Sequence, residues 1–219
     1  MPKLKDQAIE RNRKKIERAA LRVFIRQGYH GTTVRDIADA SGVSTGNIYN
    51  YYRTKEHLFA QIVQRYAARM DRLRREALDS LDDVFEPEGL KQLAHWVRRI
   101  VYGNPDYWRL MYIDVVEFGS RHFAHTFRHL SRNMACLLGD RLQASTRRGH
   151  WNGIDPALAL TAIYLQFFTY FLVEKLFGGK QHLGVPDEQA IAQIVRMVTE
   201  GLWHDGPPKG GRRQGGTKR

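Results

Sequence analysis

Within the stretch TVRDIADASGVSTGNIYNYYRTK, from Thr33 to Lys55, six residues share a chemistry of recognition rather than catalysis. Thr45, Gly46, Asn47, Tyr49, Asn50 and Tyr51 are short or flat and carry donors and acceptors of the kind that suit a DNA groove. The major groove displays a donor and acceptor code, and a helix bearing small polar groups comes close enough to read it. Such residues must then stand on one outward face of a firmly held helix.

The surrounding residues supply that support. Thr33 with Asp36 three places on forms a capping-box start, the hydroxyl taking a free backbone N–H while the acid faces the positive helix end. Val34, Ile37 and Ala38 give this first helix an apolar stripe. Gly42 is suited to the left-handed conformation that ends a helix tightly, and Ser44 can cap the next. Val43, Ile48 and Tyr52 form the buried side of the second helix, whereas Tyr49 and Tyr51 project away from Ile48. Small residues at Ala38 and Gly42, with Ile48 beyond, have the spacing of a helix-turn-helix.

The run GTTVRDIADASGVSTGNIYNYYRTKEHLF, with the helix before it, resembles the DNA-binding domain of TetR-family transcriptional regulators. The likeness covers about the first quarter of the chain, and beyond it only the architecture is similar. It implies that Thr45 and Gly46 open the recognition helix at the base edges and that Arg35 reaches a guanine. Asn47 and Asn50 would meet an adenine edge or a phosphate, and Tyr49 a phosphate or a thymine methyl. Tyr51 stands where the family often has histidine, with a similar phosphate role, and Lys55 matches a lysine that meets the DNA backbone. Thr33 and Ser44 would donate hydroxyls to phosphates besides capping.

The whole chain of 219 residues is 42% hydrophobic, enough for a substantial core, and its net charge of +12 favours polyanionic partners. One cysteine, Cys136, excludes an intrachain disulfide and a cysteine-rich zinc site and fits a reducing cytoplasm; a small buried thiol is its expected state. The charged start MPKLKDQAIERNRKK argues against an export signal. Ala157 to Val173 is the most apolar stretch, but Thr161, Gln166 and Thr169 interrupt it and no membrane span is expected.

Apolar periodicity predicts an all-α chain with helices over 3–27, 55–81, 88–102, 105–118, 124–148, 156–177 and 187–203, besides the two short ones. The organisation expected is a three-helix DNA-binding domain over 1–60, a helical effector-binding and dimerisation domain over 61–203, and a disordered basic tail over 204–219. Arg11, Arg13, Lys14 and Lys15 in the first helix form either a phosphate-binding arm or a solvated basic face. The helix from Lys55 to about Leu81, shared between domains, would act as a lever.

One recognition helix reads too few bases for selectivity, so a homodimer on palindromic double-stranded DNA is expected. Leu158, Ile163, Leu165, Phe168, Leu172 and Phe177, with Ile191, Ile194, Val195, Val198 and Leu202, exceed what one core needs and would form a four-helix dimer surface. A small-molecule effector site is expected among the middle helices, at Trp96, Trp108, Tyr112, Phe127, Tyr164, Phe167, Phe168 and Phe171, a lining suited to a large apolar ligand. Packing in an ordinary core is the alternative for each ring. Asp114 and Glu117, three apart, would face a cation or pair with a surface base.

No catalytic arrangement, cofactor motif or phosphate loop is visible. His122, His125 and His129 have helical metal spacing but no neighbouring carboxylate on their face, so they read as exposed histidines and no metal is expected. The function expected is therefore a cytoplasmic, sequence-specific repressor released by a hydrophobic ligand. An activator or an architectural protein binding DNA by charge alone are the alternatives.

Overall fold

The computed structural model describes residues 2–80, 83–84, 86–124, 128, 130–139, 141, 154–178 and 184–200. Among these the chain is helical, with no strand: α1 (Pro2–Gln27), α2 (Val34–Ser41), α3 (Thr45–Tyr51), α4 (Lys55–Ser80), α5 (Pro87–Gly103), α6 (Pro105–Phe118), α7 (Leu130–Leu138), α8 (Pro156–Leu176) and α9 (Asp187–Glu200). The expected basic tail over 204–219 lies outside the described residues, as do Phe127, His125 and His129.

Local chemistry sets most of the boundaries. Pro87, Pro105 and Pro156 each open a helix, where the missing N–H costs nothing, and Asp155 caps α8 by accepting from the Leu158 amide at 2.8 Å. The single helix expected over 124–148 is corrected. The helix Leu130–Leu138 ends at Gly139, whose left-handed φ of +47° stops it inside the expected range.

Helix α8 packs along α5, α7 and α6, and α9 packs on α5. It is long and apolar enough to cross a membrane by length and composition. Here it is the central core helix instead: Leu160, Phe167 and Phe171 are completely buried, and the Thr161 hydroxyl donates to the Ala157 carbonyl at 2.6 Å. Ile163, Phe168, Leu172, Ile191, Ile194 and Val195 are buried within one protomer. The apolar surplus is therefore narrower than the sequence suggests. Leu158 and Leu165 on α8, Met197 and Val198 on α9, and Phe177 beyond α8 remain exposed.

The α1–α3 end belongs to the same continuous core. Ile16, Ala20 and Phe24 of α1 meet Ile37, Val43, Ile48 and Tyr52, while Leu58, Phe59 and Ile62 continue that core along α4.

Candidate nucleic-acid interface

The turn between α2 and α3 is built as its residue types require. Asp36 N donates to Thr33 Oγ1 at 3.1 Å, and Thr33 N donates to Asp36 Oδ2 at 2.8 Å, which completes the capping box. These bonds hold the Asp36 carboxyl below its usual range. Gly42 lies at φ 63°, ψ 30°, with its amide donating to the Ala38 carbonyl at 2.8 Å. A side chain there would be strained, so glycine is needed for the helix to stop at this point. Ser44 then caps α3 by accepting from the Asn47 amide at 3.3 Å.

The buried side of α3 is anchored through Tyr52, whose hydroxyl donates to Glu17 Oε1 at 2.6 Å. Arg65 Nε lies 3.2 Å from the same carboxylate oxygen, joining α1, α3 and α4 in one polar network. Burial, reinforced by Glu17, raises the Tyr52 pKa far above that of a free phenol.

On the outer side, Arg35, Ser44, Gly46, Tyr49 and Asn50 are exposed, and Thr45 and Asn47 are half-buried. Tyr49 is 50% exposed although it is large and aromatic. A Cβ added at Gly46 would meet nothing within 4 Å. The fold itself does not require glycine there, so its small size matters only for whatever approaches from outside. Tyr51 is half-buried and its hydroxyl accepts from Asn12 Nδ2 at 3.4 Å, a tie to α1 that the sequence does not disclose.

Three expected phosphate donors are already engaged. The Thr33 hydroxyl lies 2.7 Å from Asp36 Oδ2, inside the capping box. Lys55 Nζ donates to the carbonyls of Tyr29 at 2.7 Å and Thr32 at 2.5 Å, and it sits 4.1 Å from the centre of the Tyr29 ring. Burial lowers its pKa. Lys55 thus clamps the turn between α1 and α2. Interaction with Tyr52 raises the pKa of Arg13, which does not line the outer basic groove. Arg11, Lys14 and Lys15 do line a groove beside α1, together with Arg18 and Arg22 and the end of α2 at Ala40 and Ser41.

Asp114 and Glu117, expected to face a cation or to pair with a surface base, accept chiefly from backbone amides. Asp114 is fully buried and accepts from the amides of His122 at 3.1 Å and Phe123 at 2.9 Å, with His122 Nδ1 at 2.6 Å. His122 therefore has a carboxylate neighbour, supplied from α6, and is not an exposed helical histidine. Glu117 accepts from the amides of Tyr29 at 2.9 Å and His30 at 2.6 Å, across 88 and 87 positions of sequence. Phe118 packs on Tyr29 and Phe59 with ring centres 4.4 and 4.8 Å apart. The end of α6 is thereby fastened to the turn that precedes α2. Nothing local in the sequence marks this joint, because the Glu117 carboxylate is satisfied by backbone from a distant segment.

Of the effector candidates, Trp108, Tyr164 and Phe168 come together, with ring centres 5.0 Å apart for Trp108 and Phe168 and 6.0 Å for Tyr164 and Phe168. Phe167 and Phe171 are wholly buried, Trp96 is half-buried, and Tyr112 faces outward beside Phe177. A cleft of about 240 Å³ between α4 and α7 is lined by Asp71, Arg74, Arg75, Leu130, Asn133, Met134 and Cys136. Cys136 is exposed, correcting the expected buried thiol. On α7 the buried stripe runs through Leu130, Met134 and Leu138, and Cys136 falls on the other side of the helix.

A capped, glycine-stopped pair of short helices with a polar outer face, braced by a long α1, defines a helix-turn-helix DNA-binding protein. The family model described as bacterial regulatory proteins, tetR family, matches residues 16–62. The HTH-type transcriptional repressor Rv1474c of Mycobacterium tuberculosis is 31% identical over 203 residues, spanning 90% of this chain and 96% of that protein. The chain belongs to the TetR family. The HTH-type transcriptional repressor AcnR of Corynebacterium glutamicum is 41% identical over 59 residues, and that match spans 27% of this chain and only 31% of AcnR. Against AcnR of Corynebacterium diphtheriae the matched part is 37% of that protein. Among solved structures, a TetR family transcription regulator from Marinobacter aquaeolei has the same fold, with TM-score 0.65, 21% identity, and coverage of 90% of this chain and 97% of that one. The transcriptional regulator FadR from Bacillus subtilis, in complex with stearoyl-CoA, superposes with TM-score 0.59 at 17% identity, over 87% of this chain and 99% of that one.

Proposed function

We propose that this protein is a cytoplasmic, homodimeric repressor that binds a palindromic operator and is released from it by a small, hydrophobic ligand. The observation that carries the dimer is the apolar face left open on the last two helices. Leu158 and Leu165 lie seven positions apart on α8, and Met197 and Val198 add to them from α9, all between 36% and 59% exposed. Two such faces would close as a four-helix bundle and set two copies of α3 at groove spacing.

The division of labour follows the helices. Residues 1–60 hold the DNA-binding unit and 61–203 the effector and dimer unit, with α4 crossing between them. At the DNA, Arg35, Thr45 and Gly46 face base edges, while Asn47, Tyr49 and Asn50 contact bases or phosphates. Ser44 and Tyr51 meet the phosphate backbone. Thr33 and Lys55 shape the turn that presents them, and the basic groove on α1 adds phosphate affinity. Effector binding in the helical unit would move α4 and α6, and the fastening of Glu117 to Tyr29 and His30 would carry that movement to α1–α3. By linkage, operator DNA lowers effector affinity by the same factor that effector lowers DNA affinity.

Selection of bound sequences from a random duplex pool at near-physiological salt, with the stoichiometry read by sedimentation, tests this reading. A palindrome with two half-sites bound by two chains is the expected result. Uniform retention of all sequences, fading together as salt rises, would instead make this a protein that binds DNA by charge alone.

A further inference from the structure

We infer that the cleft between α4 and α7 is an anion site: it takes the carboxylate, sulfonate or phosphate head of an amphipathic ligand whose apolar body lies along Leu130 and Met134. The inference deepens the effector proposal above and rests on it for any regulatory consequence.

The charges in the cleft are unequal. Arg74 and Arg75 line it with two guanidinium groups, and Asp71 contributes one carboxylate. The Arg74 side chain is only 11% exposed, whereas its partner Asp71, at 2.6 Å, is 53% exposed. The cation is thus held inward and its counter-ion stands at the water. Arg74 also interacts electrostatically with the buried Tyr164, which packs against Phe168. This places a fixed, always-charged fork of donors at the boundary between the cleft and the aromatic core. An exposed carboxylate is a weak competitor there, since its pairing is diluted by water and salt. Leu130 and Met134, already buried, wall the cleft, so an incoming anion draws its advantage from a guanidinium contact that its own body shields from water.

Cys136, the only cysteine in the chain, lines this cleft and is exposed, so its modification by a thiol reagent reports whether the cleft is filled. The test uses two probes with one ring body: 8-anilinonaphthalene-1-sulfonate and the neutral N-phenyl-1-naphthylamine. The full chain should bind the sulfonate at least about tenfold more tightly, and the sulfonate alone should slow Cys136 modification. Arg74→Met should abolish the preference. Because Arg74 is buried and that variant can fail to fold, Asp71→Asn gives an independent measurement at an exposed position, and it should tighten sulfonate binding while leaving the neutral probe unchanged. Equal binding of the two probes, unprotected Cys136, or weaker sulfonate binding by Asp71→Asn would overturn the inference. None of these readouts uses DNA. An occupied cleft that leaves operator binding unchanged would refute release by ligand and keep the anion site, whereas an empty cleft in a regulator released by another compound would do the reverse.

Discussion

Replacing Glu117 with alanine tests whether the two parts of the molecule are joined as the structure indicates. Its carboxylate, 17% exposed, accepts from two backbone amides of the turn between α1 and α2. A hydrogen bond to a charged acceptor contributes about 1.5–3 kcal/mol, most where the donor is shielded from water. The Tyr29 amide is partly buried and should lose close to the full amount; the His30 amide is exposed and is largely re-satisfied by water. The sum is about 3 kcal/mol, or a fall of about 1 M in the urea midpoint at a slope near 3 kcal/mol per M. Glu117→Gln keeps one acceptor oxygen and should lose about half as much. All four tryptophans lie beyond residue 90, so their fluorescence follows the helical C-terminal part, and hydrogen exchange at Tyr29 and His30 follows the joint itself. Both amides should exchange faster in the alanine variant, and operator affinity should respond less to effector. An unchanged midpoint together with unchanged exchange at Tyr29 and His30 would refute the joint and the route of coupling drawn through it.

Other outcomes follow from the same geometry. Gly46→Ala should raise thermal stability slightly, by up to about 1 kcal/mol, because a helical glycine facing open space is entropically costly, and yet it should weaken operator binding measured by anisotropy. Substituting Arg35 or Thr45 should relax base preference in a sequence-selection experiment, at about 1–3 kcal/mol per lost base contact. Lys55→Met should reduce both stability and DNA affinity for every sequence alike, since its ammonium holds the Tyr29 and Thr32 carbonyls; loss of DNA affinity with an unchanged melting curve would return Lys55 to a direct phosphate contact. The lowered pKa of Asp36 means that its capping contribution is fully present above the ordinary value of 3.8 and is lost as pH falls through the lower folded value. Asp36→Asn should therefore flatten the stability curve in that acid range, as followed by circular dichroism.

The helix-turn-helix was legible because its determinants are local. A cap acts over three residues, a left-handed glycine acts at one position, and an apolar stripe repeats within two turns, so Thr33, Asp36, Gly42, Ser44 and Ile48 could be assigned without knowing what else they touch. The same holds for the prolines that open α5, α6 and α8. What the tertiary structure alone decided is where the long polar side chains end. Lys55 turned inward to two carbonyls, Asp114 and Glu117 took backbone amides, and Arg74 was held inward beside the cleft while Cys136 stayed exposed. The polar partners of Lys55, Asp114 and Glu117 lie outside the helix that carries each group, from eight to nearly ninety positions away, and the exposure of each group depends on how much water the surrounding packing leaves. Residue type determined what each group was able to bind; only the packing of α4, α6 and α7 determined which partner came within reach.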